Sequence, residues 1–469
     1  MDSKEPSGVA TSEQHTGGYE PSLSNRQVQM IAMGGAIGVG LFLGAGKRLH
    51  DVGPGLVLSY LACGIAAFFV MRALGELVLY KPVSGSFVEY AREFIGPWAG
   101  FTAGWFYWLN WAFTGIAEIT AAGTYMKMWL PGVPEWLTAL IALVCLLAAN
   151  LLSVKLFGEL EFWFSTLKVA AIFIFLVVGV TLVLGGLDVG GQAASVHNLT
   201  DHGGFLPNGF GIVLISFQSV IFAYSAIEMV GIAAGETKDP RSVMPKAVNG
   251  VVWRIVVFYI GSILLLGMLL PWTSYKAGES PFVTVFGSMG VPYIGHVMNL
   301  VVLTAALSSC NSGLYSTGRI LKSLADSKEA PAFMGKMSSR HVPWGGIGFT
   351  AAFYGLGVVM IYLTDAITTF EIVTAVASIG VVVTWITFLY CQTQLRKRAL
   401  AGELERPSYR IPGAPWTNWI SIIFLAGTVF VMPFSGPDNE MAFYGLPVVI
   451  VLLIIGWQVI KRRKAAATV

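Results

Sequence analysis

Apolar residues run through this chain in stretches of about twenty, longer than the half-apolar stripes of a soluble helix. A window of about 19 residues finds twelve of them, at 27–46, 55–79, 97–128, 135–152, 160–185, 209–235, 249–270, 292–324, 345–363, 368–394, 416–434 and 442–460. At ~1.5 Å per residue each is long enough to cross a hydrocarbon layer roughly 30 Å thick. Lipid offers backbone N–H and C=O groups no partner, so the pattern predicts an all-α membrane protein of twelve transmembrane helices. Two stretches are interrupted. The first holds Met33-Gly34-Gly35-Ala36-Ile37-Gly38-Val39-Gly40, and the sixth holds Phe222-Ala223-Tyr224-Ser225-Ala226-Ile227-Glu228. The glycines weaken the helix by up to about 1 kcal/mol each relative to alanine. They predict an unwound turn, or else close helix packing. Breaks at corresponding places divide the chain into a first set of five helices at 27–185 and a second at 209–395, and because five is odd the second set is inverted. Two further helices occupy 415–460, and polar tails lie at 1–26 and 461–469.

The composition agrees: 55% of residues are hydrophobic and 12% charged, with a mean hydropathy of +0.69, which makes a soluble enzyme untenable. Basic residues set the expected orientation. Lys461-Arg462-Arg463-Lys464 and Arg396-Lys397-Arg398 mark one side as cytoplasmic, with Lys47, Arg48, Lys127 and Lys276 outside, so both termini face the cytoplasm of a cell whose inner membrane holds the protein. The net charge of +3 then reflects loops beside the anionic lipid bilayer, and no nucleic-acid partner is implied. The first 26 residues are polar and lack an apolar run followed by a small-residue cleavage site, so no signal peptide is expected there. Cys63, Cys145, Cys310 and Cys391 all fall in apolar stretches, and the six histidines lack ligand spacing, so neither disulfides nor a metal site is expected.

Against this background Lys168 stands out, flanked by Phe162 to Leu167 and Val169 to Phe173. If its helix starts at a membrane surface near Glu159, nine residues carry the amine roughly 13 Å deep. An ionisable group there is costly and marks function, unless its long side chain snorkels to the headgroups. Ser308, Ser309 and Asn311 in the eighth stretch are candidate partners for the amine. Three acidic residues join it: Glu228 just after the sixth-stretch break, a candidate for proton coupling or gating; Glu118 in the third stretch, a candidate for lining the outer half of the substrate cavity or for pairing with a neighbouring helix; and Glu236, more naturally an interface residue pairing with a base, as is Glu76. Unwound backbone is tolerated at mid-membrane only where it lines a cavity. Amides of Gly34, Gly35, Ala36, Ile37 and Gly38 would hold a carboxylate, and carbonyls around Phe222 and Ala223, with Tyr224, Ser225 and Ala226 beside them, an ammonium. A zwitterion meets both needs. Tyr107 and Trp108 are candidates for a pocket wall or gate, although such aromatics more often pack or sit at the interface.

Several segments together resemble the amino acid transporter family of the amino acid–polyamine–organocation superfamily. They are Gln29–Gly46 (QMIAMGGAIGVGLFLGAG), Gly53–Leu56 (GPGL), Ala73–Leu77 (ALGEL), Pro82–Phe87 (PVSGSF), Gly158–Val169 (GELEFWFSTLKV) and Ala233–Pro240 (AAGETKDP). The resemblance covers about residues 20 to 460 and implies a leucine-transporter-like 5+5 inverted repeat with helices 1 and 6 broken. It implies proton-coupled import of an amino acid by alternating access, with no cofactor beyond the proton gradient and no enzymatic step. It also implies that the Gly34–Gly38 turn binds the substrate carboxylate, that Phe222–Ser225 binds its amino group, and that Lys168 replaces a sodium ion. The segments Asn25–Met30 and Leu43–Leu49 are most similar to the asparagine-transporting branch. Ala226, where glycine is usual, Val39, where threonine is common, and Glu118, where that branch commonly has aspartate, depart from the pattern at pocket positions. Alternatives within transport are a carrier of cationic amino acids, γ-aminobutyrate or polyamines, or a proton-independent exchanger. A transporter-like nutrient sensor is a further alternative.

Overall fold

The computed structural model describes residues 37–82, 86–152, 154–229, 231, 240–339 and 342–466. The helices are α1 (Val39–Phe42), α2 (Gly44–Val52), α3 (Leu56–Tyr80), α4 (Ser86–Phe94), α5 (Pro97–Met126), α6 (Glu135–Leu152), α7 (Val154–Gly185) and α8 (Gly209–Ala223). They continue with α9 (Pro240–Trp253), α10 (Gly261–Leu269), α11 (Pro281–Ser288), α12 (Ile294–Asp326), α13 (Trp344–Leu363), α14 (Ala366–Leu400), α15 (Trp416–Phe430) and α16 (Pro437–Ala466). Among the described residues the one sheet is a hairpin of Asp188–Val189 with Gln192–Ala193. Its turn residues Gly190 and Gly191 both take positive φ, 65° and 84°, which two-residue hairpin turns demand. By length and composition the described helices provide eight long apolar candidates for crossing a membrane, with α8 and α15 shorter.

Most helix boundaries fall within a few residues of the apolar stretches. The differences have local causes. The stretch expected at 249–270 starts as helix at Pro240, whose fixed φ suits a first turn, and passes through a π-helical segment, Arg254–Ile260, before α10. There Tyr259 packs on Tyr60 and Tyr224 with ring centroids 6.2 and 4.5 Å away. Helices α4 and α11, too short to read as apolar stretches, also appear. Helix α7 begins before Glu159 and runs for 32 residues, which puts Lys168 near its middle.

The long α5, α12 and α14 form the centre, and small residues set their approach. A Cβ on Gly380 of α14 would lie 2.8 Å from the Asn110 Cβ of α5. One on Gly115 of α5 would lie 1.8 Å from the Tyr354 ring, whose hydroxyl donates to the Trp111 carbonyl at 3.0 Å. Ion pairs tie both ends of this bundle. At one end Glu371 of α14 takes Lys47 and Arg48 of α2 at 3.3 and 3.2 Å. At the other, buried Glu329 takes Arg92 of α4 at 2.7 Å and Lys464 of α16 at 3.1 Å. Nearby, buried Glu76 of α3 accepts from Arg406 Nε at 2.5 Å, Gln392 Nε2 at 3.0 Å and the Ile411 N–H at 2.9 Å.

Gly115→Ala is expected to destabilise the protein by about 1–3 kcal/mol, because the α5–α13 crossing has no room for a methyl group. Thermal unfolding in detergent, followed by size-exclusion fluorescence, checks this.

Candidate functional site

Both interrupted stretches leave a mark on the backbone. Gly38 is extended (φ −127°, ψ −166°) and caps α1, so no helix runs continuously through it. Gly34, Gly35 and Ala36 lie outside the described residues; Ile37, of the same turn, is fully buried. In the second interruption α8 stops at Ala223, and Tyr224 to Glu228 form turns. Ala226 sits at φ 69°, in a left-handed conformation that costs a non-glycine residue roughly 1–2 kcal/mol. The two breaks touch. A Cβ on Gly40 would fall 2.6 Å from the Ala223 Cα, so only glycine permits this approach of α1 to the end of α8.

The turn consumes part of the polar backbone assigned to an ammonium, since the Phe222 carbonyl accepts the Ser225 N–H at 3.0 Å. The Tyr224 side chain turns away, donating to the Tyr60 carbonyl at 2.8 Å, so this residue is part of the aromatic packing rather than of a pocket wall. Glu228 is 1% exposed. Its Oε2 lies 3.4 Å from the Trp385 indole nitrogen of α14, and its Oε1 has no hydrogen-bond partner among the described residues.

Lys168 is fully buried and reaches across to α12, donating to Ser308 Oγ at 3.0 Å. It does not snorkel. The Ser308 hydroxyl in turn lies 2.8 Å from both carboxylate oxygens of Glu161, which also accepts from Ser165 Oγ at 3.2 Å. Ser309, expected beside the amine, faces the other way. Its hydroxyl and the Val39 backbone N–H lie within hydrogen-bonding reach of the Glu118 carboxyl, and a Cβ on Gly38 would approach Glu118 Oε1 to 3.0 Å. Adjacent serines on one helix point about 100° apart, so α12 serves the amine with one and Glu118 with the next. Glu118 and Lys168 remain close enough to interact electrostatically. Asn311 is not a partner of Lys168 either, because its Oδ1 accepts from Asn150 Nδ2 at 2.7 Å.

Sequence reasoning missed Glu161 and Ser165, although the spacing of Glu161, Ser165 and Lys168 places all three on one helical face. It also missed Ser312 and Trp385, and it favoured Tyr107 and Trp108 over Trp111 of the same aromatic run. Trp111, Ser312 and Tyr107 each carry a buried side-chain polar atom without a hydrogen-bond partner among the described residues, as does Oε2 of Glu118. Such atoms are costly when left so. Ser312 shares a face of α12 with Ser309 and Ser316. Trp108, by contrast, donates to Thr350 Oγ1 at 3.1 Å and packs on Phe349 and Phe353, a structural place. Glu76 pairs with Arg406 as an interface residue should, and Glu236 lies outside the described residues.

A helical bundle with several membrane-length apolar segments, broken backbone and ionisable groups at its buried centre defines a multi-pass membrane protein of the transporter class. The family model for amino acid permeases matches residues 27–468, and the chain belongs to that family. It is 52% identical to the L-asparagine permease of Escherichia coli (strain K12) over 453 residues, 96% of this chain and 91% of that protein. It is 51% identical to the L-asparagine permease of Streptomyces coelicolor over 450 residues, covering 96% and 92%. The match to L-asparagine permease 1 of Mycobacterium tuberculosis (strain H37Rv) is 48% over 451 residues, again 96% and 92%.

Gly40→Ala is expected to lower uptake strongly while the protein still reaches the membrane, since the clash costs about 1–3 kcal/mol at the contact of the two breaks. Uptake per unit of immunodetected protein measures it.

Proposed function

We propose that this permease imports L-asparagine across the cytoplasmic membrane in symport with protons, by alternating access. The names of its relatives support the substrate. The observation that carries proton coupling is Lys168: an amine at zero exposure in mid-helix, hydrogen-bonded to Ser308 and facing two buried carboxyls, Glu161 and Glu118. Such an amine is out of reach of headgroups and is placed to exchange a proton as the bundle rearranges.

In this reading twelve helices form two inverted sets of five plus two more, and the breaks at Gly38 and Ala226 are the discontinuities of the first and sixth. With the basic tails cytoplasmic, the Glu371 ion pairs close the outer end and the Glu329 and Glu76 clusters the inner end. Alternating access releases one set at a time. The substrate carboxylate takes the Gly34 to Gly38 amides and its ammonium the carbonyls following Phe222. A carboxamide both donates and accepts hydrogen bonds, and the unpartnered Ser312 hydroxyl and Glu228 Oε1 offer both kinds. Glu118 joins the two halves of the task, lying between the start of α1 and the field of Lys168. An uptake cycle carrying one net positive charge draws ~2.3 kcal/mol per 100 mV, roughly fiftyfold accumulation at that voltage at ~1.4 kcal/mol per decade.

Lys168→Ala is expected to abolish concentrative asparagine uptake into proteoliposomes under an imposed pH gradient; pH-dependent accumulation at the wild-type level in that variant would refute the coupling. For Glu228→Gln the expectation is at least about tenfold slower transport with asparagine binding partly retained. Isothermal titration alongside uptake separates the two effects.

A further inference from the structure

Two opposite charges share the buried contact of α7 with α12. Glu161 and Lys168 are both at zero exposure, seven residues apart on one helical face. Ser308 stands between them, accepting from the amine at 3.0 Å while its hydroxyl oxygen lies 2.8 Å from each Glu161 oxygen. A glutamate withdrawn from water this completely needs a compensating charge and hydrogen bonds. Lys168, Ser308 and Ser165 supply them.

Among the described residues, the polar and titratable groups about the amine are Glu161 and Ser165 on its own helix, Ser308 on α12, and Glu118 on α5. Ser309, Cys310 and Tyr125 surround Glu118. Two carboxyls and one amine are electrically neutral only when they hold one proton more than the ammonium's own complement. In a low-dielectric interior neutrality is strongly favoured, so the cluster has room for a single transferable proton.

We propose that Glu161 is the proton partner of Lys168, reached through the Ser308 hydroxyl, and that Glu161, Lys168 and Glu118 together carry the proton that travels with substrate. In the exchange, an Nζ–H bond breaks as Ser308 Oγ takes that proton. The Oγ–H proton passes to a Glu161 oxygen, leaving a neutral amine and a neutral carboxyl. The reverse restores the ion pair. This exchange redistributes protons within the cluster at a constant charge of about −1; the transported proton is the additional one, taken up by a carboxyl to make the cluster neutral and given back when that carboxyl ionises. Glu161 therefore acts on transport through Lys168 as a positioning and proton-holding residue, without touching substrate.

This assignment rests on the symport reading above, and one experiment separates the two. Full-length protein in proteoliposomes is assayed for labelled asparagine uptake under an imposed pH gradient, over a range of external pH, and for gradient-free counterflow. Glu161→Gln is expected to reduce the ratio of gradient-driven accumulation to counterflow by about tenfold. It should also move the half-maximal pH of residual uptake toward acid by about one unit, because a nearby carboxylate favours the charged amine. Glu161→Asp keeps a pH dependence close to that of the wild type. Ser308→Ala, a smaller change that leaves both charges in place, lowers the same ratio by interrupting the relay. An unchanged ratio and pH profile in Glu161→Gln or Ser308→Ala overturns the assignment, as does equal loss of accumulation and counterflow, the signature of a purely structural residue. Wild-type protein indifferent to the gradient overturns the symport reading itself.

Discussion

Keeping one ammonium out of water is the constraint around which this bundle is organised. Lys168 lies too far along α7 to reach either surface, and it donates to a serine of α12 beyond which a glutamate of its own helix is waiting. Without that compensation the burial of the charge would cost several kcal/mol. The requirement fixes which faces of α7 and α12 meet and leaves Ser309, one residue on, to serve Glu118 and the start of α1. A single pair of neighbouring serines thus holds the amine on one side and the start of α1, through Glu118, on the other.

The broken helices follow a related logic. An interrupted backbone inside a membrane protein survives only where its freed groups face protein or a cavity. Here the interruptions lie against each other, with Gly40 giving the space in which Ala223 sits. Strain is retained at Ala226, whose left-handed backbone a glycine would adopt freely. Glu228, two residues beyond, is held by Trp385, which ties the position of the second break to the long central helix α14.

Much of this was legible in the chain. Apolar stretches of about twenty residues locate helices well because lipid leaves the backbone no other choice, and the boundaries of α5, α12 and α13 agree with them to a few residues. Lys168 is conspicuous for the same reason that it is costly. Glu161 lies near the end of its apolar stretch, where a carboxylate reads as a surface group; its depth follows from the roughly one and a half extra turns by which α7 precedes that stretch. The division of labour between Ser308 and Ser309 depends on helix rotation, which composition does not encode. The π-helical segment Arg254–Ile260 sets Tyr259 against Tyr60 and Tyr224, a contact between residues distant in sequence that periodicity does not reveal.

The grip on Glu76 has a mechanical consequence. Arg406, Gln392 and the Ile411 amide all close on that one carboxylate, so the segment joining α14 to α15 is riveted beneath α3. Any tilt of α14 is therefore transmitted through this rivet to α3 and α15 at once. Helix α15 is consequently tethered to α3 and α14 as an outrigger, through one carboxylate that lies in none of the loops it joins.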